Sequence, residues 1–329
     1  MLSANVFCRV LTKSSTTLHE ALTKFIRYPR TKQHTTCFFH PSTVLSTFQT
    51  CVDHAPRYST MPPTTSLEIP VFSPAAALHA QSLGAQRIEL NAQGSYPAGG
   101  LTPTLDDLRA VSSSLAIPNR VMIRPRGPPA EGLDFVYSEA EFETMLSDVK
   151  RLLADGGLKA ERGDGFVFGV LKRGAHGVEA DRERNSKLVE AAGGLVCTFH
   201  RAFDELVAGL EGISLDEKEV KVEQAIRSVA ACGFDAVLTS GGPGRAPENV
   251  EILRVVTRKA QGRLTIIIGG GVRSGNIGRV LRHLDVDPQS VWAHSSCLVA
   301  GEVENINPVE ASKMLLQFKG SNFGSHEDE

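Results

Sequence analysis

The run Thr198-Phe199-His200-Arg201-Ala202-Phe203-Asp204 sets an imidazole, a guanidinium and a carboxylate at the exit of an apolar stretch, residues 195–199. Buried charge is costly unless paired, so such a run marks a site more often than a packing accident. His200 or Glu89 is the candidate general base, with Asp204 placed to orient the histidine. Arg124 and Arg201 offer planar forks for a carboxylate or phosphate. Two glycine turns, Thr239-Ser240-Gly241-Gly242 and Gly269-Gly270-Gly271, let backbone approach an anion, and Ser274 reads as the N-cap of the helix that follows. The plainer alternatives are a salt-bridge network plugging a core and glycines that only turn tight corners.

Positioning these groups requires strands that end together. Short apolar runs at residues 67–72, 86–90, 120–123, 165–171, 195–199, 236–239, 264–268 and 290–293 alternate with helical patterns at 74–83, 105–115, 138–154, 180–192, 217–231, 247–260, 274–284 and 308–318. The 138–154 segment is the clearest, with apolar residues at three- and four-residue spacing behind a capping box, Ser138 and Glu141. Eight strand–helix units over about 250 residues predict an α/β chain folded as a (β/α)8 TIM barrel, with an open doubly wound sheet as the alternative. Period two then turns Glu68 and Pro70, Glu89 and Asn91, Met122 and Arg124, Thr198 and His200, and Trp292 and His294 inward. The expected ligand-binding set is Glu68, Arg124, Arg201, Ser240, Gly241, Gly270, Gly271 and His294, taking a small anionic ligand. Loop 126–136 is a candidate lid or a solvent-exposed spacer, and Tyr96 is a candidate for the entrance.

Several motifs in order, Arg87-Ile88-Glu89-Leu90, Gly99-Gly100-Leu101-Thr102-Pro103, Val121-Met122-Ile123-Arg124-Pro125-Arg126-Gly127, Val167-Phe168-Gly169-Val170-Leu171, the 198–204 run and Leu238-Thr239-Ser240-Gly241-Gly242, resemble the CutC copper homeostasis family. The resemblance spans residues 67–297. It implies a single-domain barrel, a role in copper handling and Cu(I) held by cysteines near the ends of the first two strands. It implies no assigned reaction. At those two positions this chain carries Pro70 and Asn91, which supply none of the sulfur that Cu(I) prefers. His294 with Cys297 is the residual metal pair, Met122 a thioether in reserve, and Cys197 is expected to face the helices. The readings are therefore a CutC-like copper homeostasis protein, a TIM-barrel enzyme acting on a phosphorylated or carboxylated metabolite, or a noncatalytic binding protein.

Composition, 41% hydrophobic and 22% charged with net charge -2, fits one globular core. Residues 1–60 hold seven Lys/Arg against two acidic residues, leaving the remainder acidic, which argues against a nucleic-acid surface. No apolar run is long enough to span a membrane. Residues 1–60 read as a disordered extension or a transit peptide, with Met61 as an alternative start; residues 61–319 as the barrel; residues 320–329 as a disordered tail. A cytoplasmic location is expected, or mitochondrial if the first segment is a transit peptide. Homo-oligomerisation stays open.

Overall fold

The computed structural model describes residues 66–175, 177–284, 291–298, 301–302 and 304–319. The readings made for residues 1–60, Met61 and 320–329 lie outside that set. In chain order the elements are β1 (Ser66–Val71), α1 (Pro74–Ser82), β2 (Arg87–Leu90), α2 (Leu105–Ser112), β3 (Asn119–Met122), α3 (Glu139–Ala154), β4 (Gly165–Phe168), β5 (Leu171–Gly174), β6 (Gly177–Ala180), α4 (Arg182–Ala191) and β7 (Val196–Phe199). They continue with α5 (Ala202–Leu206), α6 (Leu215–Ala230), β8 (Ala236–Thr239), α7 (Val250–Ala260), β9 (Thr265–Ile268), α8 (Ile277–His283), β10 (Val291–His294) and α9 (Pro308–Lys319). The strands β1, β2, β3, β4, β7, β8, β9 and β10 close into a parallel barrel, β10 pairing with β1. The closed TIM barrel is therefore the fold, and the open sheet is excluded.

Local chemistry explains where the helices start. Ser73, Thr104, Ser138, Asp181 and Ser214 each cap a first turn with a side-chain oxygen, and Thr104/Asp107, Ser138/Glu141 and Ser214/Glu217 form complete capping boxes. Alternation along the strands then splits the interior in two. Ile69, Ile88, Leu90, Val121, Phe166, Phe168, Cys197, Phe199, Val237, Ile266, Ile268 and Ala293 join the main core beneath the helices. Ala236, Leu238 and Ile267 form a second cluster with Trp292 packed on it, on the opposite face of their strands. Barrel interiors are packed rather than hollow, and this one is apolar on one side and ionic on the other.

Three expectations are corrected. The run at 165–171 is not one strand: β4 stops at Phe168, and Leu171 opens an antiparallel hairpin, β5 with β6. That hairpin carries Lys172, Arg173 and Glu179 outward, so it presents no apolar run to read. Ser274 is not a cap; Asn276 holds the N-cap position of α8, while Ser274 donates from N and Oγ to Glu310 at 2.7 Å each. The 198–204 run holds a short helix, α5, that the sequence reading passed over.

At the amino end of the barrel, fully buried Asp164 accepts from the backbone N–H of Asn119 (2.9 Å) and of Lys159 (2.8 Å) and grips the Arg162 guanidinium (2.7 Å). Removing its charge leaves the largely covered Arg162 guanidinium with only the carbonyls of Ser112, Leu115 and Gly157, so Asp164→Asn is expected to cost about 3 kcal/mol. Urea unfolding should show a lower midpoint at an unchanged slope.

Candidate functional site

Three groups of polar side chains line the barrel interior and the carboxyl ends of its strands. The first is ionic. Register places Glu68 opposite both Arg87 on β2 and His294 on β10. Its Oε2 accepts from Arg87 Nε, and its Oε1 meets His294 Nδ1 at 2.7 Å. Arg87 also lies over the Trp292 ring, 3.8 Å from its centroid. Glu89 sits beside this pair, its Oε1 and backbone oxygen each accepting from Asn91 Nδ2 at 3.1 Å. Its Oε2 is buried with no hydrogen-bond partner, as are Asn91 Oδ1 and Arg87 Nη2. Glu68, Glu89 and His294 each present a ligand atom within 4.8 Å of the others.

Burial alone would raise the Glu68 carboxyl, but Arg87 and the bonded His294 overturn it and hold it at about 2. No cation is hydrogen-bonded to Glu89, and burial raises it above the ordinary 4.5 against the pull of nearby His294. Burial opposes charge on His294, yet Glu89 and then Glu68 hold its pKa above 6.5. Burial also depresses Arg120, to about 10.

The second group surrounds Arg124 and His200. Arg124 donates from Nη1 to the carbonyls of Ala98 (2.6 Å) and Gly100 (3.2 Å) and from Nη2 to Asp134 (2.8 Å). Phe135, with a positive φ of 62°, lies 4.6 Å from the His200 ring and 5.0 Å from the Arg124 guanidinium carbon. The far end of loop 126–136 thus covers the two residues. Burial, reinforced by Arg124, drives the His200 pKa well below 6.5, so the ring is neutral, with Nε2 buried and unpartnered. Thr198 Oγ1 is buried and unpartnered too.

Asp204 centres the third group and does not orient His200. Its Oδ1 accepts from Thr239 Oγ1 (2.5 Å), Ser240 N (2.9 Å) and Gly242 N (3.3 Å). Its Oδ2 takes Ser240 Oγ (2.7 Å) and Arg201 Nε (2.8 Å). His200 Nδ1 instead accepts from Ala202 N at 3.2 Å. Arg201 reaches on to Ser240 Oγ (2.9 Å) and the Gly244 carbonyl (3.2 Å). At the end of β9, Gly270 and Gly271 have φ of 86° and 72°. A Cβ on Gly270 would stand 2.9 Å from the Ser240 Cβ and 3.5 Å from the Arg201 guanidinium carbon, and one on Gly271 would stand 2.4 Å from Arg245 Nε. Ser240 and the Arg245 guanidinium therefore crowd a turn that favours glycine, with the Arg201 guanidinium in contact beside it.

Arg87, Arg120, Asp134, Phe135 and Arg245 are the participants that the sequence reading missed. Arg87 and Arg120 share the inward parity of Glu89 and Met122, so that signal was present. Asp134 and Phe135 lie in a loop whose local sequence carries none. Tyr96 packs edge-on against Phe72 at 5.3 Å.

The described sulfurs do not make a soft-metal set. Cys197 and Cys297 pack in the main core, away from the face that carries His294, and Cys232 is buried with them. Burial raises Cys197 to about 12 and Cys232 and Cys297 to about 11, so all three stay as thiols, whereas metals take thiolates. Pro70 and Asn91 add no sulfur, which leaves the buried Met122 thioether without a second inward sulfur to share Cu(I) among the described residues.

Residues 65–290 match the model of the CutC family. A family protein CutC from Porphyromonas gingivalis is 37% identical over 221 residues, 67% of this chain and 77% of that protein. The copper homeostasis protein cutC homolog of Homo sapiens is 34% identical over 215 residues, 65% of this chain and 68% of the human one. A crystal structure of CutC from Streptococcus agalactiae matches with a TM-score of 0.55 at 25% identity, covering 70% of this chain and 98% of that one.

The ionic group sets a pH response. Glu68 titrates in the fold at about 2, below its ordinary 4.5, so its pairing stabilises the protein above about pH 4.5 and is lost as pH falls toward 2. His294 has the opposite sign: its contribution is complete below 6.5 and fades as pH rises past its raised value. Urea titrations across pH in chelator-containing buffer should show both limbs, and Glu68→Gln should flatten the acid one.

Proposed function

This chain belongs to the CutC family, and from that premise we propose that its barrel mouth binds a small phosphorylated or carboxylated metabolite. The chain is a homologue of copper homeostasis proteins, and in this reading its part does not run through Cu(I) held on the described cysteines. The packing of Arg201 and Arg245 against the Gly270-Gly271 turn carries the reading. It supports an anion subsite because guanidinium forks and close backbone are what a phosphate or carboxylate needs, at a barrel end where such groups are commonly held. Arg201 is fixed for the task by Asp204 and Ser240.

The enzyme version of the same reading assigns the base to His200. A neutral imidazole with Nε2 unpartnered can take a proton, and Glu89, with its raised pKa, can return one. The cytoplasm suits the three free thiols of the described residues, since reducing compartments keep cysteines unpaired. Among the described residues no helix is long and apolar enough to cross a membrane.

Isothermal titration of the full chain with inorganic phosphate and with a sugar phosphate tests the subsite. Binding is expected, and Arg201→Gln and Arg245→Gln should each weaken it about ten- to a hundredfold, as a charge-assisted hydrogen bond is worth roughly 1.5–3 kcal/mol. Affinity unchanged in both variants refutes the placement. A separate anaerobic competition against a Cu(I) chelator of known affinity should leave the metal with the chelator; stoichiometric capture of Cu(I) that survives replacement of the cysteines outside the described residues would overturn the copper half of the reading.

A further inference from the structure

Glu89 is the buried carboxylate of the barrel interior to which no cationic side chain is hydrogen-bonded. Glu68 is bonded to both Arg87 and His294. Glu89 receives only the Asn91 amide, on Oε1, while Oε2 is buried without a partner although the residue is 4% exposed. A carboxylate in that condition either holds a proton or takes up a cation, because the bare ion is too costly to bury. The neighbourhood favours the cation. His294 Nδ1 and Glu68 Oε1 lie 2.7 Å apart, and the position between them is where a cation can replace the shared proton. Glu68, Glu89 and His294 each have a ligand atom within 4.8 Å of the others.

We propose that Glu89, His294 and Glu68 form a binding site for a divalent first-row transition ion such as Zn2+ or Mn2+. Two carboxylates and an imidazole are an oxygen and nitrogen donor set, which suits such ions and not Cu(I). The ion takes the place of the proton that His294 Nδ1 and Glu68 Oε1 share at 2.7 Å, so that imidazole and carboxylate reach it together. Ion–ligand distances of about 2.0–2.2 Å ask the Glu89 side chain to swing inward, and only the Asn91 amide holds it back. Arg87 remains on Glu68, and Arg120 faces the charges of Asp164 and Asp235 as well as Glu68, so the interior is not left with two unopposed cations. Three protein ligands leave a coordination position free for water or a ligand oxygen. The site is separate from the Arg201 and Arg245 subsite and stands without it.

The test is isothermal titration of chelator-stripped full-length protein with Zn2+ and with Mn2+, followed by the visible absorption of the Co2+ form. One saturable site is expected, weakened at least thirtyfold in Glu89→Gln and in His294→Gln and unchanged in His79→Gln, a control at an exposed histidine. The Co2+ spectrum should lack a thiolate charge-transfer band. Absence of saturable binding to the folded wild-type chain overturns the proposal and leaves Glu89 protonated. Equal affinity in all variants, or a strong thiolate band, overturns it by moving the ion to other residues. The Co2+ spectrum is read on the wild-type protein, so a variant that fails to fold leaves a decisive measurement in place.

Discussion

The barrel closes on one carboxylate. Glu68 stands on the first strand with its Cα in register with Arg87 on the second and His294 on the last, and its two oxygens bind one each. The seam where chain start meets chain end is therefore fastened by charge as well as by the backbone ladder. Such a knot need not exceed an apolar seam of equal volume in stability, because desolvation consumes much of the Coulombic gain. Its effect is on geometry: losing any partner strands the others, so the relative positions of three strands are tightly specified. Arg87 transmits that order inward by lying on Trp292, which packs on the small apolar cluster of the interior.

A second carboxylate organises the opposite side. Asp204 directs its oxygens to the Thr239–Gly242 turn and to Arg201, and so ties a short helix to the loop after β8. The 198–204 run thus divides its labour. Its histidine is shielded, neutral and unpartnered at Nε2, while its aspartate is saturated with donors and its arginine is held out over the glycine turn.

Much of this was legible because it follows from period and parity. Alternation from Glu68 to Pro70 and from Glu89 to Asn91 gave the inward face, and the capping box at Ser138 and Glu141 gave the helix start. The same alternation runs through Arg87 and Arg120, yet arginines in an apolar strand are discounted by a search for hydrophobic runs. Other features are tertiary by nature. That Asp204 binds Ser240 rather than His200 depends on how α5 tilts, and that Ser274 binds Glu310 depends on where α9 lands. The β5–β6 hairpin escaped because an exposed two-stranded ribbon buries too little to leave a pattern. Asp134 and Phe135 escaped because a loop's landing point is decided by its receptor: Arg124 and His200 for these two side chains, and the Leu171 N–H for the Phe135 carbonyl, at 2.8 Å.

The cover that Phe135 lays over His200 has a kinetic meaning. In the proposed enzyme reading, where His200 is the base, a molecule arriving from solvent would have to wait for the Asp134 and Phe135 contacts to part before reaching the buried imidazole. Encounter and entry are then successive events. In that reading the observed association rate would level off at high ligand concentration at the frequency with which the cover lifts, a property of this chain alone and indifferent to what is being admitted.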